Sequence, residues 1–536
     1  MNRNVQLSIL TALFVVLMSL PFLVPGTGFL SLVGFVPLLY AEKIASDSGM
    51  RGFCLWHYAA FLLWNLATTF WVCNATVGGG VFASLANAFQ MSLVFGLFRW
   101  SKKRLKGALP YIFLMVAWIA WERYYLTWAQ ISWPWLVLGN SFARTVSWIQ
   151  WYEITGALGG SLWVLSVNLV IFGILSSVSD GRWRVFNPKR KLASALGALI
   201  LLLGPLVASA CLRPEPSKGS LDVFVAQPNI DPYNKFGGMT QDEQNEALLS
   251  QFESAPKDAP VLLIAPETFT NDIITNDLAM SSTVGRFWSF LKDYPNANLL
   301  FGASSHDYVS SVTRPSQTAR KIYDDLWLES HNSALMTDAY EGIDIYHKSK
   351  LVVGVEMTPY PAVFRPLDDW LGGVMGRCVG QDKVTNLNFQ QYDSTGALTY
   401  VIPVGCAICY ESVYPEHCAE YVREGAELLT VITNDAWWKD TPGYRQHLSY
   451  SSLRAIETRR WIARCANTGI SAFIDPSGRI VSKTSWWKPE TLEGQVGLSD
   501  EMTFYVKNGD IAGRLCVFCF ILLLLTSIVR TFTGKE

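Results

Sequence analysis

Eight stretches of about 20 mostly apolar residues constrain this chain more than any other feature. They lie at 5–24, 28–46, 52–73, 79–98, 107–127, 156–178, 193–212 and 511–531, each close to the ~20 residues a helix needs to cross a bilayer core. Positive charge is distributed unevenly between them. Arg99, Lys102, Lys103, Arg104 and Lys106 separate the fourth and fifth stretches, and Arg182, Arg184, Lys189, Arg190 and Lys191 separate the sixth and seventh. The alternate connections 25–27 and 74–78 carry no charge, and 128–155 holds only Arg144 and Glu153. Because Lys and Arg gather on the cytoplasmic side, this pattern predicts seven spans that start inside and deliver residues 213–510 to the outside. The eighth span then returns Arg530 and Lys535 to the cytoplasm. No small-x-small cleavage site follows the first stretch, so it reads as a retained span rather than a signal peptide.

Composition agrees: 536 residues are half apolar, 13% aromatic and only 16% charged. A formal net charge of -1 lends no support to nucleic-acid binding. The expected organisation is a helical membrane domain at 1–213, a globular extracytoplasmic domain at 220–505 and a last transmembrane helix at 511–531. In the globular part, Leu221–Gln227, Val261–Pro266, Leu299–Ser304, Ala334–Thr337, Val401–Cys409 and Leu428–Thr433 read as strands. Thr240–Glu253, Ser281–Leu291 and Gln446–Cys465 read as helices. In the last of these, Arg454, Glu457, Arg460 and Arg464 recur every three or four residues and are expected to form a salt-bridged stripe on one face. Asp475-Pro476-Ser477-Gly478 is a turn between two short strands. The eight residues Arg213–Ser220 reach under about 30 Å, which holds the domain against the outer leaflet. Trp437-Trp438, Trp486-Trp487 and Phe236 are candidates to touch the membrane interface there.

The chemistry centres on VIPVGCAICYES at 401–412, an apolar strand that ends in Cys409, Tyr410 and Glu411. A side chain at a strand end has a fixed backbone and open space beyond it. The ten cysteines show no disulfide framework. Cys406, Cys409, His417 and Cys418 only loosely imitate zinc-ligand spacing, since residues three apart on a strand face opposite ways, and no metal is expected there. A cysteine nucleophile needs a base. His306, His331, His347, His417 and His447 are available without distinction, whereas Glu267 ends the strand VLLIAPE much as Cys409 ends its own. A fixed cation for an oxyanion is offered by Lys348 or Lys350, two apart and expected on one strand face. Pattern alone does not choose between them.

These segments together carry a family resemblance. APE around Glu267, YHK around Lys348 and CYE around Cys409 resemble the Glu-Lys-Cys triad of the nitrilase superfamily. The whole chain resembles the apolipoprotein N-acyltransferase family: AQPNI at 226–230, TNDAWW at 433–438, Gln446-His447, the series from Arg454 to Gly469, Trp121-Glu122-Arg123, Pro134-Trp135-Leu136, and Gln150 with Gly156, Gly159, Ser161 and Asn168 all match its patterns. The resemblance implies an α-helical membrane domain of eight spans joined to an α/β nitrilase-like αββα sandwich. It implies that Lys348 rather than Lys350 is the catalytic lysine, beside Glu267 and Cys409. Glu356 matches a second glutamate that helps hold lysine and nucleophile in place, and Glu411 is expected as a further supporting residue. Val353-Gly354-Val355 stands where the family has Pro-Phe-Gly. Phe236, Trp437 and Trp438 are expected as substrate or lid contacts, and Cys406 has no assigned role.

The implied reaction takes an acyl chain from a membrane phospholipid through a cysteine thioester to the α-amino group of a diacylated prolipoprotein. It needs no metal or other cofactor. It implies a monomer in the bacterial inner membrane with the catalytic domain on the periplasmic side. A membrane-anchored amidase, or an acyltransferase with another acceptor, would carry the same triad. A scaffold or transporter would not need it, and the spans hold few ionisable groups beyond Glu122 and Arg123, which is thin for a transport pathway.

Overall fold

A computed structural model describes residues 2–185, 187–232, 238–310, 312, 315–316, 318–370, 375–393 and 395–533. The chain divides into two compact units. One comprises 1–213, 441–453 and 508–536, and the other comprises 214–440 and 454–507.

The first unit is helical. Among the described residues, six helices are long and apolar enough to cross a membrane: Arg3–Leu23, Gly28–Asp47, Val77–Lys102, Tyr152–Ser179, Lys191–Cys211 and Ile511–Thr533. The other two expected spans are also helical. Phe53–Thr69, however, has only 17 residues, and Leu109–Thr127 carries Glu122 and Arg123, so length and composition alone do not reach a count of eight.

Buried polar side chains hold this unit together where the helices are irregular. The second apolar stretch is interrupted between Ser31–Gly34 and Val36–Asp47. Asn168 repairs the break: its Oδ1 accepts from the N–H groups of Phe35 (2.7 Å) and Val36 (3.2 Å), while its Nδ2 donates to the carbonyls of Ser31 (2.7 Å) and Val164 (2.8 Å). Residues 128–155, read from sequence as an outer loop, are partly buried, with Trp135, Leu136, Leu138 and Phe142 all in the interior. Backbone without water must be satisfied internally, and the motif residues do this. Glu122 Oε1 accepts from the Leu138 N–H (2.9 Å) and Trp118 Nε1 (3.1 Å), Ser161 Oγ accepts from the Gly139 N–H (2.9 Å), and Tyr152 donates to the Gly139 carbonyl (2.9 Å). A Cβ on Gly139 would fall 1.9 Å from the Ala157 carbonyl oxygen, so only glycine fits. Gln446 belongs to this unit as well. Its Oε1 accepts from Trp135 Nε1 (2.7 Å) and Trp71 Nε1 (3.2 Å), and its Nε2 donates to the carbonyls of Thr68 (3.1 Å) and Phe22 (3.3 Å).

The second unit is built on strands. In order these are β1 (Gly219–Gln227), β2 (Val261–Ile264), β3 (Thr270–Ile274), β4 (Ala297–Ser310), β5 (Arg320–Tyr323), β6 (Leu326–Asp338) and β7 (Ile343–His347). They continue with β8 (Leu387–Tyr392), β9 (Leu398–Ile408), β10 (Leu428–Thr433), β11 (Ile462–Ala466), β12 (Ala472–Ile474), β13 (Ile480–Lys483) and β14 (Glu490–Leu498). Among the described residues they form an eight-stranded sheet, β14-β1-β2-β4-β6-β5 with β3 and β7 attached, and a six-stranded sheet, β13-β12-β11-β10-β9-β8. The parallel central strands β1-β2-β4 and β9-β10-β11 are covered on both faces, which explains apolar runs without alternation. The helices Gln241–Ser250 and Ser282–Leu291 cover the outer face of the larger sheet, where Leu248, Phe287 and Leu291 pack on Leu263, Phe301 and Leu335. Fully burying each such side chain contributes roughly 1.5–3 kcal/mol. Each helix begins where its cap predicts: Thr240 forms a capping box with Glu243, and Ser281 accepts from the Val284 N–H.

One helix expectation needs correction. Gln446–Cys465 is not a single helix: the helix Pro442–Thr458 ends, Arg459 turns the chain at φ +50°, and Arg464 lies on β11. The arginines therefore do not share a stripe. Arg454 pairs with Glu457 (2.7 Å), Arg460 donates to the carbonyls of Ala426 (2.8 Å) and Glu501 (2.6 Å), and Arg464 pairs with Asp435 (2.7 Å). Ile462–Ala466 is drawn into the sheet because β10 offers it a parallel ladder, and tertiary pairing outweighs local helical spacing.

Replacing Asn168 by Leu should leave the Phe35 and Val36 N–H groups buried without acceptors, at about 1–3 kcal/mol per group. The check is a lower thermal unfolding midpoint in detergent than for the native chain.

Candidate active site

Parallel strands fix backbone up to their carboxyl ends, and ligands gather just beyond those ends. Here β2 leads to Glu267, β9 to Cys409 and β10 to Asn434, while the antiparallel β7 leads to Lys348. Two of these exits turn through left-handed backbone. Thr268, directly after Glu267, has φ +46°, and Cys409 itself has φ +52°. For non-glycine residues such conformations cost on the order of 1–3 kcal/mol and persist only where surrounding structure imposes them. Gly302 on β4 makes the first turn possible, since a Cβ there would lie 2.6 Å from the Glu267 Cα.

Lys348 is buried, and its Nζ lies 2.9 Å from Glu356 Oε1 and 3.3 Å from Glu267 Oε1. Asn332 on β6 bridges the same two carboxylates, its Nδ2 donating to Glu356 Oε1 (2.7 Å) and Glu267 Oε1 (2.8 Å). The remaining oxygens are held by backbone: Glu267 Oε2 accepts from the Asn434 N–H (3.1 Å), and Glu356 Oε2 from the Val352 N–H (2.7 Å). The Val353-Gly354-Val355 departure does not displace Glu356. Gly354 turns at φ +80° and its N–H donates to the Met357 carbonyl (2.8 Å).

Charge explains the protonation of this group. Burial by itself would lower Lys348, but the pull of Glu356, Glu267 and Cys409 outweighs it and holds the ammonium well above its ordinary value. For the part-exposed Cys409, burial raises the thiol well above its ordinary value, and repulsion by Glu267 adds to the shift against a smaller opposing pull from Lys348. The resting sulfur is therefore protonated at neutral pH and needs a base to become a nucleophile. Cys406 is different in kind. It is fully buried on β9, and burial pushes its thiol up to about 12.

Glu411 does not approach the Lys348 ammonium through any described hydrogen bond. Its Oε1 accepts from the N–H groups of Ser349 (2.7 Å) and Lys350 (3.0 Å) and from the Tyr346 hydroxyl (2.7 Å), and its Oε2 accepts from the Ile408 N–H (2.8 Å). It thus clasps the segment after Lys348 to the residue before Cys409. Lys350 does not share a strand face with Lys348, because β7 ends at His347. The Lys350 ammonium instead lies 5.8 Å from the Tyr414 ring centre. Trp437 and Trp438 belong to the short turn Asp435–Trp438 that follows Asn434, and Trp437 is exposed. Phe236 lies outside the described residues. His417 pairs with Glu411 (3.2 Å), whereas His331 and His347 stack on each other at 4.1 Å.

Sequence reasoning missed Asn332 and the Asn434 N–H. A buried asparagine at the start of the apolar run SALM was the available signal for the first. A backbone donor leaves none.

Residues 253–502 match the carbon-nitrogen hydrolase family, and residues 15–170 match the apolipoprotein N-acyltransferase N-terminal domain. The chain is 29% identical over 519 residues to an apolipoprotein N-acyltransferase of Chlorobaculum tepidum, an alignment that covers 94% of this chain and 92% of that one. It is 27% identical over 518 residues to one from Geobacter metallireducens, covering 94% and 91%.

The Glu411 clasp has a pH signature. Burial would raise this carboxyl, but the His417 ring and the N–H groups of Ile408 and Lys350 outweigh it and hold it below its ordinary value of 4.5. A depressed folded value contributes stability that is fully present above the unfolded value and is lost as pH falls through the folded one. Over roughly pH 5 to 3, the unfolding midpoint of the native chain should therefore fall more steeply than that of Glu411→Gln.

Proposed function

The chain belongs to the apolipoprotein N-acyltransferase family, and on that premise we propose that it moves an acyl chain from a membrane phospholipid to the N-terminal S-diacylglyceryl cysteine of lipoproteins. Glu267 serves as base, Cys409 as nucleophile and Lys348 as the oxyanion's cation. The observation that carries this reading is one buried ammonium held between Glu267 and Glu356, beyond the strand ends that lead to Glu267 and Cys409.

In the first half-reaction Glu267 takes the Cys409 proton and the thiolate attacks the ester carbonyl carbon, forming a C–S bond. Negative charge develops on the carbonyl oxygen, where the Lys348 ammonium already waits in a site of low dielectric. The ester C–O bond then breaks, Glu267 returns the proton to the departing alkoxide, and a lysophospholipid leaves behind a thioester. In the second half the lipoprotein's α-amino group attacks the thioester and gives its proton to Glu267. The C–S bond breaks and the thiolate is reprotonated, leaving an amide. Asn332 and Glu356 position the two reacting side chains.

Anchoring is part of the function. Spans 1–213 and 511–531 keep the domain at 220–505 on the periplasmic face of the inner membrane, where both lipid substrates present their reactive groups. The chain acts as a monomer.

Mass spectrometry after incubation with labelled phospholipid should show an acyl adduct on Cys409 that disappears when diacylated lipopeptide is added. Acyl transfer by Cys409→Ser, or an adduct on Cys406 in its place, would overturn the assignment. Lys348→Met should lower the acylation rate by about 10²–10³, the usual cost of losing an oxyanion partner, as measured by the single-turnover appearance of the adduct.

A further inference from the structure

The face of the larger sheet turned away from Asn332 and Lys348 carries a second constellation. Alternation along a strand sends neighbouring residues to opposite faces, so His331 beside Asn332 and His347 beside Lys348 share the outer face with Leu335, which packs under the helix Ser282–Leu291. Asp307 on β4 joins them. Its neighbour Ser305, on the same face, is paired with His331, and Ser333 is paired with His347. Ligand atoms of Asp307, His331 and His347 all lie within 4.8 Å of one another. Tetrahedral zinc, with bonds of roughly 2.0–2.1 Å, places its ligands about 3.3 Å apart. His331 Nε2 and Asp307 Oδ2 already stand at 3.4 Å.

We propose that Asp307, His331 and His347 form a binding site for a divalent cation of the zinc class, separate from the reacting groups and behind them. The two rings stack on each other, and the Nδ1 atom of each is engaged. His331 Nδ1 donates to the Val379 carbonyl (2.9 Å), and His347 Nδ1 meets Ser333 Oγ (2.7 Å), which is itself hydrogen-bonded to Ser305 Oγ (2.6 Å). At His331 the carbonyl can only accept, which fixes the proton on Nδ1 and leaves the Nε2 lone pair for metal. His331 Nε2 is buried and has no hydrogen-bond partner among the described residues. It faces a carboxylate oxygen, so two acceptors meet unless something positive stands between them. Two imidazoles and one carboxylate suit zinc, nickel or copper better than calcium or magnesium. Water completes the fourth position. None of these residues forms a short-range sequence motif, since they are 24 and 16 positions apart, and only the register of β4, β6 and β7 unites them. A bound ion would pin β6 to β7 next to the residues that present Asn332 and Lys348.

The test uses the full chain carrying Cys409→Ser, so that zinc at the active-site thiol does not interfere and the outcome is independent of the acyl-transfer reading. After chelator treatment and dialysis, the protein should take up one equivalent of Zn²⁺ by elemental analysis. With Co²⁺ it should develop the visible absorption of a four-coordinate ion without the near-ultraviolet band of thiolate ligation. His331→Gln and Asp307→Asn should each weaken binding by at least roughly tenfold, and Asp307→Asn, at a partly exposed side chain, tests the site even where a buried substitution fails to fold. Absence of stoichiometric uptake would show that Asp307 and a protonated His331 pair with each other instead, and the proposal would fall. Equal uptake by Asp307→Asn, or a thiolate band with cobalt, would overturn it equally.

Discussion

The catalytic half of this protein depends on one buried ammonium. Lys348 is removed from water, and such a charge is tolerated only with close partners of opposite sign and further hydrogen bonds. Glu267 and Glu356 supply the first and Asn332 the second, each from a different part of the chain. Removing any one leaves charge or amide buried without compensation, so the four side chains define one another's positions. The proposed proton transfer from Cys409 to Glu267 neutralises one carboxylate as it creates one thiolate. The number of charges in the pocket therefore stays constant through the cycle, and the surroundings need little rearrangement.

Around that core the supporting contacts run mostly through backbone. Glu411 fastens the segment after Lys348 to the end of β9, Gly302 lets the chain pass at Glu267, and Arg464 holds Asp435 beside the turn that presents Asn434. The helical unit follows the same logic under a stricter solvent. Asn168, Glu122, Ser161 and Gln446 supply hydrogen bonds to interrupted helices and buried indoles, where water is not there to do it. Motif residues thus include several whose visible part is to satisfy buried backbone and indole groups.

Much of the fold was legible because its signals are local. Apolar runs located β1, β2, β9 and β10, and Thr240 and Ser281 marked two helix starts. The errors arose where distant pairing decided. The run 446–465 has helical spacing throughout, yet Ile462–Ala466 joins a parallel ladder. By pattern alone Lys348 and Lys350 looked equivalent; both lie beyond β7, and it is Lys348 that reaches Glu267 and Glu356. The stretch 128–155, poor in charge, is partly buried, and an uncharged loop and a buried segment read alike.

The sequence by itself determined the membrane-anchored α/β architecture, the strand ends that carry Glu267 and Cys409, and, through family resemblance, Lys348 as their partner. Tertiary structure alone decided that Asn332 bridges two carboxylates, that Glu411 clasps the segment after Lys348 to the end of β9, that Cys406 is sealed while Cys409 sits at a left-handed turn, and that Asp307, His331 and His347 lie together. The reason is physical. Hydrophobic period and capping act between residues a few positions apart, whereas hydrogen-bond satisfaction and ion pairing in the interior depend on strand register, which couples positions far apart in the chain.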